Sequence, residues 1–263
     1  MAALSQRRMA HVLVTGSAGA IGDPVCRALL ARGHRVRGMD RVVSESAADR
    51  GHTGFEAVRV ELEDRDGVKA AMRGIDSVVH LAAFPDDADF SLLEGPNVRG
   101  LLHVLDGARQ EGVRRVVLAS SIQVLDGWWD LTRKEPASAE IETPSNHYAL
   151  TKVWAERAGE MYARCYGLSV IAVRVAFMVR NPTEARRLMQ RQLFDVYLSR
   201  GDVARCFALS VEASNIGFAV LYAVGKGGER LFDMEPARRL IGFEARDRWP
   251  EGLGFNVPDL GAT

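Results

Sequence analysis

Residues 14–22 read Val-Thr-Gly-Ser-Ala-Gly-Ala-Ile-Gly. The apolar run His11-Val12-Leu13-Val14 leads into them, and the amphipathic stretch Ile21–Arg32 follows. A short apolar run that enters a glycine-rich turn and leaves as a helix opens a βα unit. Gly16, Gly19 and Gly22 say little as a pattern in a chain with 25 glycines. Their place says more. They sit where the first amides of a helix lack partners and its dipole is positive, an arrangement that suits a pyrophosphate. Gly16 permits the tight turn and Gly19 lets the backbone approach a phosphate, with Ala18, Ala20 and Ile21 around it. Gly22 lets the helix pack close to the strand.

The same alternation runs outward from this unit. Arg35–Met39, Glu56–Val60, Ser77–Leu81, Arg115–Ala119 and Ser169–Val173 read as short apolar strands. Asp66–Met72, Val98–Gln110 and Asn146–Tyr166 read as helices between them. Repeated βα units with apolar strands predict an α/β fold, a doubly wound parallel sheet covered on both faces. After Arg174 the pattern loosens. Pro182–Ser199 reads as helix, Ala204–Leu209 as strand, Ala213–Val224 as helix, Glu229–Asp233 as strand and Arg238–Ile241 as a last helical turn. Residues 1–174 are therefore expected to form a dinucleotide-binding domain, and residues 175–263 a small C-terminal substrate lobe integrated with the sheet.

Composition narrows the function class. The chain has 263 residues, 47% of them hydrophobic, and 34 Lys+Arg balance 34 Asp+Glu. Zero net charge argues against a general nucleic-acid binder, which works by neutralising phosphates. No apolar run approaches the ~18 residues of a membrane span. The N-terminal Arg7-Arg8 is not followed by a signal-peptide pattern. Cys26, Cys165 and Cys206 have neither a disulfide framework nor metal-ligand spacing, so no metal is expected and a cytoplasmic protein is.

Two further positions carry chemistry. The second strand ends at Asp40, 18 residues past Gly22. A carboxylate there suits a ribose 2′-hydroxyl and favours NAD, whereas Arg41 beside it leaves NADP open. Tyr148 and Lys152 are four apart on one helix face. An ammonium beside a phenol stabilises the phenolate and makes it a usable base. The preceding strand ends Leu118-Ala119-Ser120-Ser121, and parallel sheets bind ligands at such carboxyl ends.

These residues together resemble the extended short-chain dehydrogenases/reductases, the NAD-dependent epimerase/dehydratase superfamily. Thr15–Gly22, His80-Leu81-Ala82-Ala83, Asn97-Val98-Arg99-Gly100, Ser120-Ser121 and Pro144 through Tyr148 to Lys152 carry the likeness over nearly the whole chain. The resemblance implies a Rossmann-like sheet, bound NAD, and a Ser121/Tyr148/Lys152 catalytic site. It places Leu81, Ala82, Ala83, Asn97, Ala119 and Val175 along the cofactor and Glu61-Leu62 by its adenine. It also implies a homodimer, or an assembly of dimers, packed through Val98–Gln110 and Asn146–Tyr166.

Within the superfamily, fewer than ninety residues follow Arg174, which leaves little room for a nucleotide-sugar lobe. The chain is similar to the short uronate dehydrogenases, echoed in Arg186-Arg187-Leu188-Met189, Tyr197-Leu198-Ser199 and Asp247-Arg248-Trp249-Pro250-Glu251-Gly252. That likeness implies oxidation of a sugar or sugar acid at C1, giving a lactone and NADH. Phe84, Ser120, Ser121, Gln123, Tyr148 and Arg174 are the expected substrate contacts. Arg174 either pairs with a substrate carboxylate or is structural. Ile122-Gln123 departs from the subgroup's Asn-His, and Asp86-Asp87 would repel a carboxylate if they face the pocket, which leaves a neutral aldose or another small alcohol open as substrate. Trp128-Trp129 either stack on a sugar or form a lid. Arg186, Arg187 and Arg191 either bind an anion or form a solvated face. An epimerase or dehydratase holding tightly bound NAD and a non-catalytic dinucleotide sensor are the alternatives.

Overall fold

The computed structural model describes residues 9–42, 52–126 and 135–257. Trp128 and Trp129 lie outside them. Seven strands form one sheet: β1 (His11–Thr15), β2 (Arg35–Asp40), β3 (Phe55–Arg59), β4 (Ser77–His80), β5 (Arg115–Ser121), β6 (Ser169–Val175) and β7 (Phe218–Ala223). Their order is β3-β2-β1-β4-β5-β6-β7 and every pairing is parallel. The order reverses between β1 and β4, and such a switch opens a crevice at the strands' carboxyl ends.

Strand side chains alternate between two buried layers, as a period of two requires. Val12, Val14, Val79, Val117, Ile171 and Val173 face one core. Leu13, Val78, Val116, Leu118 and Val170 face the other. Helices α1 (Gly22–Ala31) and α7 (Arg200–Glu212) cover the first face and pack on each other. The second is covered by α2 (Arg65–Ala71), α4 (Gly100–Gln110) and α5 (His147–Tyr166). Between β4 and α4, the short helix α3 (Phe90–Leu93) runs into a π-helical stretch, Glu94–Arg99. Asn146 caps α5, its Oδ1 accepting from Ala149 N at 2.7 Å, and left-handed Gly167 ends it.

The strands and helices before Arg174 lie within a few residues of their expected bounds. After it the assignments change. Residues 204–209, expected as strand, lie inside α7, which Ser199 caps through Asp202 N. Residues 213–224, expected as helix, hold β7. The expected helix 182–199 stops at α6 (Pro182–Gln190), followed by a 3₁₀ turn at Phe194–Val196. In place of the strand 229–233 there is a 3₁₀ turn, Gly228–Arg230, before α8 (Glu235–Ile241). A six-residue apolar run has no periodicity of its own that separates a buried strand from part of a buried helix. The boundary at 174/175 falls inside β6, and β7 and α7 belong to the main layers. A separate small cluster of Val179, Ala185, Leu188, Tyr197, Leu253 and Val257 lies beyond β6 in sequence.

Candidate active site

The turn after β1 is built for close approach. Gly16 has φ +69°, and a Cβ there would lie 2.7 Å from Ala82 N. At Gly22 a Cβ would meet the Gly16 carbonyl oxygen at 2.0 Å. Only glycine lets this loop pass between β4 and the helix start. No side chain caps α1 at Ile21. The Asp40 carboxylate closes the turn from the β2 side, accepting from Ala18 N at 3.0 Å. Arg41 is exposed. A glycine cradle, an uncapped helix start and a carboxylate at the end of β2 are the donor and acceptor set that a dinucleotide requires.

Across the switch, Thr15 ties β1 to β4. Its Oγ1 accepts from Leu81 N and Ala82 N, both at 3.2 Å, so its proton goes to His80 Nδ1 at 2.8 Å. Burial, with Lys152 nearby, drives the His80 imidazole down to about 3, and the ring is neutral. Past Leu81, Ala82 and Ala83 the backbone of Phe84 is gripped by Asn97. Asn97 Oδ1 accepts from Phe84 N at 2.7 Å, and its Nδ2 donates to Phe84 O and to Thr151 Oγ1. Asn97 thus braces the β4 loop against α5, with its amide taken up by protein groups. Glu61 is exposed and Leu62 half-buried.

Ser121, Tyr148 and Lys152 meet at the carboxyl end of β5. The Ser121 hydroxyl lies by the Tyr148 phenol and favours its ionised form. Lys152 Nζ lies 5.3 Å from the centre of the Tyr148 ring and donates to Ala119 O at 3.1 Å. Burial pushes the phenol up to about 12, the Ser121 hydroxyl pulling against it. Burial also pulls the Lys152 ammonium down to about 8, with the Glu156 carboxylate opposing. In the protein alone, desolvation therefore outweighs the help expected from an adjacent ammonium. Gln123 Oε1 accepts from Asn146 Nδ2 at 3.4 Å, which links the site to the cap of α5.

Two expected substrate contacts are corrected. Arg174 is fully buried. Its Nε and Nη2 donate to the two Glu156 oxygens at 2.9 and 2.8 Å, and its Nη1 donates to Ile141 O and Tyr222 Oη. Its guanidinium is spent inside the protein and leaves no fork for a substrate. Ser120 points to the opposite face of β5 from Ser121, and its hydroxyl donates to Glu156. The supposed opposition of Arg174 to Asp86 and Asp87 dissolves with this. Arg180, not singled out from the sequence, reaches Asp86 instead, Nη2 to Oδ1 at 3.5 Å, and is anchored by Glu184 at 2.7 Å. Asp87 Oδ1 lies 3.4 Å from Tyr148 N. The loops leaving β4 and β6 thus meet on either side of the β5 end that carries Ser121. Nothing in the local sequence marks Arg180. Glu156 was discernible, one helical turn past Lys152. Arg186, Arg187 and Arg191 are exposed.

The sequence model of the NAD dependent epimerase/dehydratase family matches residues 12–193. The chain belongs to this family. The chain is similar to an L-arabinose 1-dehydrogenase (NAD(P)(+)) of Haloferax volcanii, 30% identical over 91% of this chain and 97% of its own. A uronate dehydrogenase of Pseudomonas syringae pv. tomato is 27% identical over 88% of this chain and 80% of its own. The solved structure of MoeE5 in complex with UDP-glucose and NAD superposes with a TM-score of 0.78 at 24% identity, over 92% of this chain and 96% of that one. The protein is an NAD-dependent enzyme of the extended short-chain type, and its glycine turn fits that cofactor.

Proposed function

We propose that the protein is an NAD-dependent dehydrogenase that oxidises the C1 hydroxyl of a small sugar to the lactone. The observation that carries this reading is the convergence of the Ser121 hydroxyl, the Tyr148 phenol and the Lys152 ammonium beside the glycine turn. The sugar dehydrogenases among its relatives support it. The dinucleotide supplies a hydride acceptor at its nicotinamide ring. Ser121 Oγ fixes the reacting oxygen, and Tyr148 Oη takes its proton. Lys152 stabilises the resulting phenolate charge. With the phenol at about 12, phenolate is scarce at neutral pH, so oxidation speeds up as pH rises.

The site mouth favours an uncharged sugar. Asp86 offers acceptors and Arg180 donors for hydroxyl groups, both from partly exposed side chains. Two carboxylates, on Asp86 and Glu184, pair with that one guanidinium, and Asp87 lies by Tyr148 N, so a substrate carboxylate entering there meets net repulsion. NAD reduction measured with galactose, arabinose, galacturonate and glucuronate tests both parts. The expected result is a higher kcat/KM for the neutral sugars, with Asp86→Asn narrowing the gap. Preference for the uronates overturns the neutral-sugar reading alone. No oxidation of any sugar by protein that binds NAD overturns the dehydrogenase reading. Tyr148→Phe is expected to lower kcat about 10²–10⁴-fold with NAD affinity retained.

We also propose a homodimer. Five of the eight large hydrophobics exposed among the described residues, Phe90, Leu92, Leu150, Trp154 and Tyr166, lie on α3 or α5. Apolar surface gathered in this way marks an interaction face.

A further inference from the structure

Glu156 is a buried carboxylate that the proposed chemistry does not use. It is 1% exposed, on the same helix as Lys152 and one turn further on. Positions four apart on a helix are neighbours. Both side chains reach adjacent residues of β5: Lys152 Nζ donates to Ala119 O, and Ser120 Oγ donates to Glu156 Oε1. On its far side Glu156 is held by both branches of the Arg174 guanidinium. We propose that Glu156 is a positioning residue whose charge keeps Lys152 an ammonium in the active site, with Arg174 and Ser120 holding that carboxylate in place.

The physical case starts from what surrounds Lys152. Its side chain is buried and donates a hydrogen bond to a neutral carbonyl. Four titratable or charged groups bear on it from the packed elements. Tyr148, one turn earlier on α5, is protonated in the protein alone. On β4, His80 is a neutral imidazole. Arg174 on β6 is positive, and two carboxylates face it, Glu156 at 2.8 Å and Glu142 at 3.9 Å, so the cluster keeps a net negative charge. Glu156 is therefore the negative charge among them, and it opposes the pull of burial on Lys152. The bidentate guanidinium and the Ser120 hydroxyl fix the position of Glu156, which gives the buried Arg174 pair a part in the chemistry as well as in packing.

The chain has four lysines, Lys69, Lys134, Lys152 and Lys226. Lysine labelled with ¹³C at Cε therefore yields a simple NMR spectrum, and the signal missing from Lys152→Met assigns the buried residue. Its titration is read directly, without turnover. Glu156→Gln keeps the shape and removes the charge. It is expected to lower the Lys152 midpoint by about one pH unit or more. Glu156→Asp keeps the charge while disturbing the geometry, and it is expected to restore most of that midpoint even where thermal stability drops. If Glu156→Gln unfolds in isolation, the same titration with saturating NAD, which stabilises the folded state, supplies the reading. A Lys152 midpoint unmoved by Glu156→Gln overturns the proposal. So does an equal shift in Glu156→Asp, because packing loss would then suffice. In sugar-oxidation assays, the pH at which the Lys152-dependent limb appears is expected to move with the NMR midpoint.

Discussion

His80 shows how one residue's partner sets its chemistry. Two backbone amides occupy the lone pairs of Thr15 Oγ1, so the hydroxyl must donate to Nδ1 and the ring stays neutral. Its folded pKa of about 3 lies below the ordinary 6.5. The unfolded chain therefore binds a proton between those values that the native protein refuses. Stability from this group is complete above pH 6.5 and is lost as pH falls towards 3, by up to about 1.4 kcal/mol per pH unit. Melting curves of the wild type and His80→Asn between pH 7 and 4 check this. The wild type is expected to lose Tm more steeply, and parallel slopes would refute it. Arg174 teaches the same lesson from another direction. As an arginine near the end of an apolar strand it was a fair candidate for a substrate carboxylate. Its partner, Glu156, is 18 residues away in sequence and on another element.

At the scale of elements, α5 carries two faces. Tyr148, Lys152 and Glu156 face the sheet, and Leu150 and Trp154 are turned to solvent, 52% and 42% exposed. An isolated helix with this pattern wants apolar cover on both sides. A second copy packed against it satisfies the outer face. Trp154→Glu is expected to shift the protein to a monomer in light scattering or sedimentation while leaving the fold intact by circular dichroism. A wild type that is monomeric at micromolar concentration would refute the dimer. The same element shows what was legible in advance. Its length, its Asn146 cap, its Gly167 stop and the Tyr148–Lys152 spacing are all local signals. The strand β7 and helix α7 had no such signals. Their apolar runs fit either structure, and the choice between them was made by the edge of β6 and the face of α1.

For the molecule as a whole, the zero net charge is assembled from local pairings. Arg174 with Glu156 is sealed inside, Arg32 with Glu212 joins the end of α1 to α7, and Arg180 with Asp86 stands at the mouth of the site. No described helix is long and apolar enough to cross a membrane. By itself the sequence determined the parallel α/β sheet, the glycine turn for a dinucleotide and the Ser121, Tyr148, Lys152 set. Each depends on spacing within one element or at one junction, where backbone geometry acts over a few residues. Tertiary structure alone decided which arginine pairs with the exposed Asp86, which faces a buried carboxylate, and where the last strand lies. Those depend on side chains brought together from loops and strands far apart in sequence, and their energies come from burial and pairing that exist only once the sheet has closed.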